Sequence, residues 1–434
     1  MTTQPAAPAS SFIPDLRVPV GWTLGGLAAG LALGIALEGR ATAGWVLPIA
    51  DVVGTLWLRA LQMTIVPLVA ALLVIGIVQT VAAARAGRMA LTALALFAAV
   101  LTTVTVFTAF AMPALLEAFP IPESAAAALR GSLTVSEAGP VAPPVPGVAD
   151  FLKSLVPANI VQASAETAMI GVIVFFSLLA LAITRLPDLH RAHFVTLFEA
   201  ITGAMLVMIG WVLWIAPLGV FALSLTVAGA SGAAALGALL HYIVIVTAIG
   251  AAVLIAAYGV AVLVARYDLV RFARAVLPAQ AMAISTQSSL ASLPAMLVSC
   301  KALGLRDTTG ELVLPLAVAL FRATGPAVNL AVAIYAAKLA GMELTPPMLA
   351  TGVVVALVTT IGSVSLPGAI SFVTAIGPIA IAMGVPVGPL ALLVAVEVLP
   401  DIMRTLGNVT MDVAVTAAVD RRTVGQGKER KFST

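Results

Sequence analysis

The chain has 434 residues, of which 61% are hydrophobic and only 9% are charged. Because an ordinary soluble domain carries about 25% charged residues, this composition excludes a soluble globular protein and predicts an integral membrane protein. The net charge of +3 is small, and we expect no nucleic-acid partner. The single cysteine, Cys300, excludes an intramolecular disulfide framework.

The chain begins with a segment, residues 1–18, in which Arg17 is the only basic residue. This segment lacks the small-residue site at which signal peptides are cleaved, so we expect it to remain as a cytoplasmic N-terminus. Apolar stretches follow at roughly 20–37, 45–83, 89–113, 151–185, 194–228, 234–265, 269–299, 311–340, 347–383 and 386–418. A crossing takes about 20 apolar residues, so these stretches predict an all-α polytopic protein with about eight transmembrane helices plus shorter pieces. One domain over residues 19–420 is the simplest organisation.

Two of these stretches, 269–299 and 347–383, are interrupted near their centres by clusters of Ser, Thr, Gly and Pro. The clusters run from Ser285 to Pro294 and from Thr359 to Gly368. They predict re-entrant helical hairpins, whose non-helical tips are tolerated at membrane depth only when buried or lining a watery cavity. A pair of interrupted segments is typical of a transporter binding site.

Lysine and arginine are distributed unevenly between the two sides of the predicted membrane. With the N-terminus inside, fifteen of the 22 basic residues fall on the inner side. The others are Arg40, Arg130, Lys153 and Lys338 on the outer side, and Arg59, Arg322 and Arg404 within spans. This bias predicts a multi-pass protein of the inner or plasma membrane with both termini, including the tail 421–434, in the cytoplasm. The two hairpins would then enter from opposite sides, as an inverted pair.

The last apolar stretch carries a stripe of polar and charged residues. At 100° per residue, its members fall within an arc of roughly 80° on one helix face. They are Glu397, Asp401, Arg404, Asn408 and Asp412. Each ionisable group at bilayer depth costs about 2.5 to 3.5 kcal/mol on insertion scales, so the stripe predicts an interior site.

Three acids and one arginine give this stripe a formal charge of −2, which a low-dielectric site cannot hold without cations or protons. Arg404 is suited to bind a carboxylate bidentately, and Asp401 is suited to bind an ammonium group. The hairpin tips around Ser288 and Ser289 and around 362–368 offer backbone N–H groups to an anion, although such residues also serve close helix packing. Together these groups predict a site for a zwitterion with an extra acid.

Arg322 is a second cation at membrane depth, in the helix between the two hairpins. Two interpretations stay open from the residues alone. Arg322 is either a structural partner for Glu397 or Asp412, or a residue with a role in ion coupling.

At these residues the chain resembles the dicarboxylate/amino acid:cation symporter family, the glutamate transporter homologues, over about residues 20–422. The resemblance rests on the hairpin segments Gln287–Pro294 and Ile361–Gly368, and on the last-helix pattern from Asp401 to Asp412. It implies eight transmembrane helices and two hairpins in an inverted-repeat fold, assembled as a homotrimer. A scaffold at about 19–88 and 150–228 would hold a transport domain at about 89–116 and 234–420, which moves like an elevator.

The resemblance also implies roles for single residues. Arg404 would bind the side-chain carboxylate of the substrate and Asp401 its amino group, with help from Thr405 and Asn408. Further substrate contacts would come from the hairpin tips, at Gln287, Ser288, Ser289, Leu366 and Gly368. Because the dicarboxylate carriers of the family lack the amino-group aspartate, Asp401 favours aspartate or glutamate as substrate.

One motif of this chain departs from the family. The family's seventh-helix sodium motif is asparagine-methionine-aspartate-glycine-threonine. This chain has Phe321-Arg-Ala-Thr-Gly325 instead, so that Ala323 lies where the metal-binding aspartate would be. We therefore predict coupling to protons, with Glu397 or Asp412 as the carrier and Arg322 as an internal positive charge. No bound cofactor is expected.

Two alternatives remain. Asn408 and Asp412 could retain a residual sodium site, which would make the protein a sodium-coupled symporter of acidic amino acids or C4-dicarboxylates. An anion channel is the alternative from a different class. The sequence has no Ser/His pair, paired catalytic aspartates or phosphate-binding loop, so we predict that the protein is not an enzyme.

Overall fold

The computed structural model describes residues 20–38, 40–85, 87–123, 126, 156–166, 168–231, 234–362, 375–387, 390 and 393–431. These residues form helices joined by short connections, and no β-strand occurs among them. The helices before the first predicted hairpin are α1 Val20–Leu37, α2 Ala43–Gln62, α3 Ile65–Arg85, α4 Arg88–Ala118, α5 Ile160–Ala165, α6 Met169–Ile183, α7 Asp188–Trp214, α8 Ala216–Ser231 and α9 Ala234–Gly259. Those that follow are α10 Leu269–Thr286, α11 Leu293–Leu303, α12 Asp307–Leu320, α13 Gly325–Leu339, α14 Pro346–Gly362, α15 Gly377–Ala382 and α16 Val398–Lys431.

Several of these helices are apolar enough to cross a membrane. Within the described ranges, five stretches reach the necessary length: Ala43–Arg85, Arg88–Ala118, Asp188–Trp214, Leu236–Val264 and Asp307–Leu339. Shorter apolar helices lie at Gly21–Leu37, Met169–Ile183, Ala216–Gly229, Leu293–Leu303 and Pro346–Ile361. The protein is therefore all-helical in its described part, with several apolar helices.

Two of the long apolar stretches are divided by proline. The stretch 45–83 is split between α2 and α3, because Pro67 has no N–H to offer to the carbonyl of Met63. The second division separates α12 from α13 at residues 321–324, where Pro326 occupies the first turn of α13 and cannot donate to the carbonyl of Arg322. The backbone of Arg322 has a φ of 35°, a left-handed conformation that non-glycine residues seldom adopt.

The helices pack so that α16 contacts neighbours on several sides. In the first half of the chain, α8 packs against α1 and α2, and α3 packs against α6 and α7. In the second half, α16 packs against α9, α10 and α12, while α13 packs against α4 and α14. These contacts remove α16 from lipid, which explains how the helix tolerates its polar stripe.

Glycines allow α1 and α8 to approach closely. Gly26, Gly30 and Gly34 recur every four residues, so they share one face of α1. A Cβ atom added at Gly30 would collide with the Ser224 hydroxyl and the Phe221 carbonyl of α8. Small residues at such spacing are the usual means by which membrane helices pack without a hydrophobic driving force.

We expect Gly30→Val to lower the free energy of unfolding by about 1 to 3 kcal/mol, because the added atoms overpack the contact with α8. Thermal unfolding of the purified protein in detergent measures this loss. Gly25→Val is the matched control, since a Cβ at Gly25 meets nothing within 4 Å. Equal melting temperatures for the two variants would contradict the close approach of α1 and α8.

The first predicted hairpin corresponds to α10 and α11, which pack against one another. Gln287 ends α10 in a left-handed conformation with a φ of 50°, and its N–H donates to the Ala283 carbonyl at 2.9 Å. The Gln280 side chain anchors α10 by donating to the hydroxyls of Tyr258, 2.9 Å away, and Thr410, 3.0 Å away. The helix α10 is therefore fastened to α9 and α16.

The second predicted hairpin corresponds to α14 and α15, which also pack together. Its tip, residues 363–374, lies outside the described residues. The same holds for the predicted N-terminus 1–18.

Candidate substrate site

The polar stripe of α16 is buried along its whole length. The exposed fractions of Glu397, Asp401, Arg404, Asn408 and Asp412 are 0%, 4%, 2%, 3% and 1%. Glu397 immediately precedes α16, but Asp401 donates its N–H to the Glu397 carbonyl at 2.9 Å, so both residues share the helical register. Five polar side chains therefore lie inside the protein on one helix.

An ion pair between Arg404 and Glu397 stands at the N-terminal end of this stripe. Arg404 Nη2 donates to Glu397 Oε1 at 2.6 Å, and the Tyr242 hydroxyl of α9 donates to Glu397 Oε2 at 2.7 Å. Both oxygens of Glu397 are thus engaged. Arg404 Nε, in contrast, is buried without a hydrogen-bond partner. A buried donor without an acceptor costs about 1 to 3 kcal/mol, so the guanidinium has unused capacity for an anion.

A second contact joins α16 to the break between α12 and α13. The Thr324 N–H donates to Asn408 Oδ1 at 2.8 Å, and the Thr324 hydroxyl lies 2.9 Å from both Asn408 Oδ1 and the Arg404 carbonyl oxygen. The side-chain oxygen of Asn408 therefore already faces two donor groups. These bonds fix the break at the level of Arg404 and Asn408.

Arg322 lies in the same break and interacts electrostatically with the carboxylates of Asp401 and Asp412. Its side chain is half-buried, whereas both acids are buried. Asp412 Oδ1 has no hydrogen-bond partner, although it is buried. Arg322 therefore attracts Asp412 through space, whereas no hydrogen-bond donor reaches this oxygen.

Other predicted site residues have local contacts. The Thr405 hydroxyl donates to the Asp401 carbonyl one turn earlier, at 3.0 Å. Ser289 is buried, and the Ser288 hydroxyl accepts from the Ala291 N–H at 3.3 Å, within the tip that follows Gln287. The hydrogen bonds found for Ser288 in the described chain all stay inside this tip.

Two predicted substrate residues, Leu366 and Gly368, lie outside the described residues. Two other residues, Tyr242 and Thr324, take part in the site although the sequence had suggested no role for them. A tyrosine hydroxyl in the apolar helix α9 and a threonine beside Arg322 were the available signals. Neither residue type indicates its partner, because the partners are distant in the chain: Tyr242 and Glu397 are 155 residues apart, and Thr324 and Asn408 are 84 residues apart.

The charges of this site come to −1 when all groups are ionised, because three acids face two arginines: Glu397, Asp401 and Asp412 against Arg322 and Arg404. Glu397 and Arg404 compensate one another at contact distance. A second carboxylate at the unpartnered Nε of Arg404 would leave two buried negative charges against one guanidinium, at a cost of several kcal/mol. Arg404 can therefore hold an external carboxylate without this cost when Glu397 is neutral.

A bundle of apolar helices with a buried charged site between broken helices defines a multi-pass membrane transporter. The chain belongs to the sodium:dicarboxylate symporter family, whose model matches residues 20–422. The members of this family are symporters, not enzymes.

Named relatives cover only part of the chain. It is 30% identical over 270 residues to the proton/glutamate-aspartate symporter of Escherichia coli (strain K12), a match of 61% of this chain and 60% of that protein. It is 25% identical over 276 residues to the C4-dicarboxylate transport protein of Laribacter hongkongensis (strain HLHK9), covering 63% and 61%. It is 26% identical over 288 residues to the proton/sodium-glutamate symport protein of Bacillus subtilis (strain 168), covering 66% of each. The matched region thus spans less than two thirds of each of these relatives.

Proposed function

We propose that the protein is a proton-coupled symporter that moves acidic amino acids, aspartate or glutamate, across the inner or plasma membrane. The observation that carries this proposal is Arg404, a buried arginine whose Nη2 is held by Glu397 while its Nε has no partner. A planar guanidinium with a free edge is suited to a carboxylate, and burial strengthens that recognition. The names of two relatives, the proton/glutamate-aspartate symporter and the proton/sodium-glutamate symport protein, support the same substrate class.

The position of Asp401 supports an amino acid, rather than a dicarboxylate without an amino group, as the substrate. It lies three residues before Arg404 on the same face of α16 and is buried. An ammonium group beside this carboxylate and a carboxylate at Arg404 would give the substrate two points of opposite charge. A C4-dicarboxylate, the class named for another relative, remains the alternative substrate.

Glu397 supports coupling to protons. Its carboxylate already pairs with Nη2 of Arg404, so a substrate carboxylate at the unpartnered Nε would place two buried carboxylates against one guanidinium. One of the two carboxylates then lacks a compensating charge unless a proton neutralises Glu397, so the carrier would bind one proton with each substrate carboxylate. Glu397 is therefore our proposed proton carrier.

The alternative of sodium coupling is less well supported by the contacts of Asn408. Sodium binding would need several oxygen ligands gathered around the ion. The side-chain oxygen of Asn408 already accepts from the Thr324 N–H and faces the Thr324 hydroxyl. In addition, the positive charge of Arg322 acts on Asp412, the other residue of the possible sodium site.

The proposal extends to architecture. By resemblance, we propose eight transmembrane helices with two re-entrant hairpins, cytoplasmic termini, and a homotrimer that works as an elevator. The scaffold would comprise about 19–88 and 150–228, and the transport domain about 89–116 and 234–420. The packing of α8 against α1 and α2, and of α16 against α9, α10 and α12, supports this division. Exposed tryptophans on the proposed scaffold, Trp22, Trp45, Trp211 and Trp214, are suited to lipid or to a neighbouring subunit.

Uptake by the purified protein in proteoliposomes tests this function. With an acidic exterior and no sodium on either side, we expect labelled aspartate or glutamate to accumulate inside above its outside concentration. Glutamate, aspartate and succinate are tested in parallel, which separates amino acids from dicarboxylates. Because a channel cannot concentrate its solute, accumulation also separates a symporter from an anion channel.

A proton ionophore is the control, since it should abolish accumulation without preventing equilibration. A second uptake experiment imposes a sodium gradient at equal pH on both sides. Uptake driven by sodium and indifferent to the pH gradient would overturn proton coupling. Equilibration without accumulation under every gradient would overturn symport.

A further inference from the structure

Two carboxylates of the site have no cation at contact distance among the ion pairs found in the described chain. Glu397 is neutralised by Arg404 at 2.6 Å, which leaves Asp401 and Asp412. They are eleven residues apart on α16, equal to about 16 Å along the helix axis. Buried carboxylates remain ionised only when a cation or hydrogen-bond donors compensate them.

The break that carries Arg322 is attached to α16 between these two acids. Thr324, two residues after Arg322, is bonded to α16 at Asn408 and at the Arg404 carbonyl. These two attachment points lie between Asp401 and Asp412 along the helix. The left-handed backbone of Arg322 belongs to the same break, and such conformations persist where the surrounding structure enforces them.

Asp412 supplies an independent observation. Its side chain is 1% exposed and its Oδ1 atom has no hydrogen-bond donor. The electrostatic attraction of Arg322 acts on this carboxylate and also on Asp401.

We infer that Arg322 is a fixed counter-cation shared by Asp401 and Asp412, and that it supplies a positive charge for which the site would otherwise need an inorganic cation. The guanidinium stays with the protein through every cycle, so one of these two negative charges is balanced without a cation from solution. This inference deepens the proposed function, because it assigns ion coupling to Glu397 and removes Asp412 from it. Arg322 is thus a positioning residue for Asp401 rather than a substrate contact.

Removing the guanidinium should create a requirement for a free cation. We expect Arg322→Ala to lose thermal stability in choline chloride and to regain at least about 2 °C in melting temperature when sodium chloride replaces choline chloride at equal ionic strength. Guanidinium at millimolar concentration should restore stability in the same way. The wild-type protein should melt at the same temperature in sodium and in choline.

A double variant decides whether the effect arises from charge. Arg322→Ala combined with Asp412→Asn removes one cation and one acid together, so we expect it to regain most of the stability lost by Arg322→Ala and to lose the sodium response. Arg306→Ala is the matched control for loss of an arginine. This variant breaks the 2.8 Å ion pair between Arg306 and Asp420. Because the Arg306 side chain is 43% exposed, we expect no sodium response.

Each outcome has a fixed meaning. Recovery by Asp412→Asn supports the inference even when Arg322→Ala alone does not fold. Failure of the double variant to recover, or equal melting of Arg322→Ala in sodium and choline, overturns it. These measurements need no substrate, so they fail or succeed independently of proteoliposome uptake by the wild-type protein, which alone decides the proposed function.

Discussion

Arg404→Ala is expected to weaken the binding of aspartate and glutamate by about 100-fold or more, equal to about 2.7 kcal/mol. The expectation follows from burial, because truncating one partner of a buried charge pair typically costs about 2 to 5 kcal/mol of binding. Arg404 is 2% exposed, and its Nε is the unpartnered donor that a substrate carboxylate would engage. Isothermal titration calorimetry of the purified protein measures the change.

Arg404→Ala alone also leaves Glu397 without its cation, because Glu397 Oε1 loses its contact with the guanidinium. Glu397→Gln combined with Arg404→Ala avoids a buried unpaired charge and serves as the folded comparison. Arg404→Lys tests geometry separately, because an ammonium keeps the charge but lacks the planar fork. We expect all three variants to bind poorly. Binding of aspartate at wild-type affinity by the folded double variant would exclude Arg404 as the carboxylate-binding residue.

Glu397→Gln is expected to remove the pH dependence of substrate binding. In the wild-type protein, a proton on Glu397 releases Arg404, so affinity should rise as pH falls. One proton taken up per substrate corresponds to at most about a tenfold change in affinity per pH unit. Glutamine mimics the neutral side chain at every pH, so the variant should bind with high affinity throughout. Calorimetry at a series of pH values measures both slopes.

Transport by this variant should change in a specific manner. Exchange of internal for external substrate should continue, whereas accumulation driven by a pH gradient should be lost, because Glu397→Gln cannot release a proton inside. Glu311→Gln is the control, since Glu311 is an exposed carboxylate of α12. A pH slope in Glu397→Gln equal to that of the wild type would assign the proton to another group.

The relation between Arg404 and its partner shows where sequence reasoning stops. Helical periodicity places Asp401 and Glu397 on the same face as Arg404, three and seven residues before it. Spacing along the chain does not say which of these acids the guanidinium contacts. In the folded protein it contacts Glu397, whose carboxylate also accepts from the Tyr242 hydroxyl of α9.

The sequence by itself determined the properties that depend on local rules. Composition identified a membrane protein, the 100° period placed Glu397 and four polar residues of α16 on one face, and motifs identified the family that the match over residues 20–422 confirms. The tertiary structure alone decided which polar groups meet: the pairing of Glu397 with Arg404 and the anchoring of Thr324 on Asn408. Electrostatic balance in a buried site depends on distances between helices, and residues such as Thr324 and Asn408 are brought together only by packing.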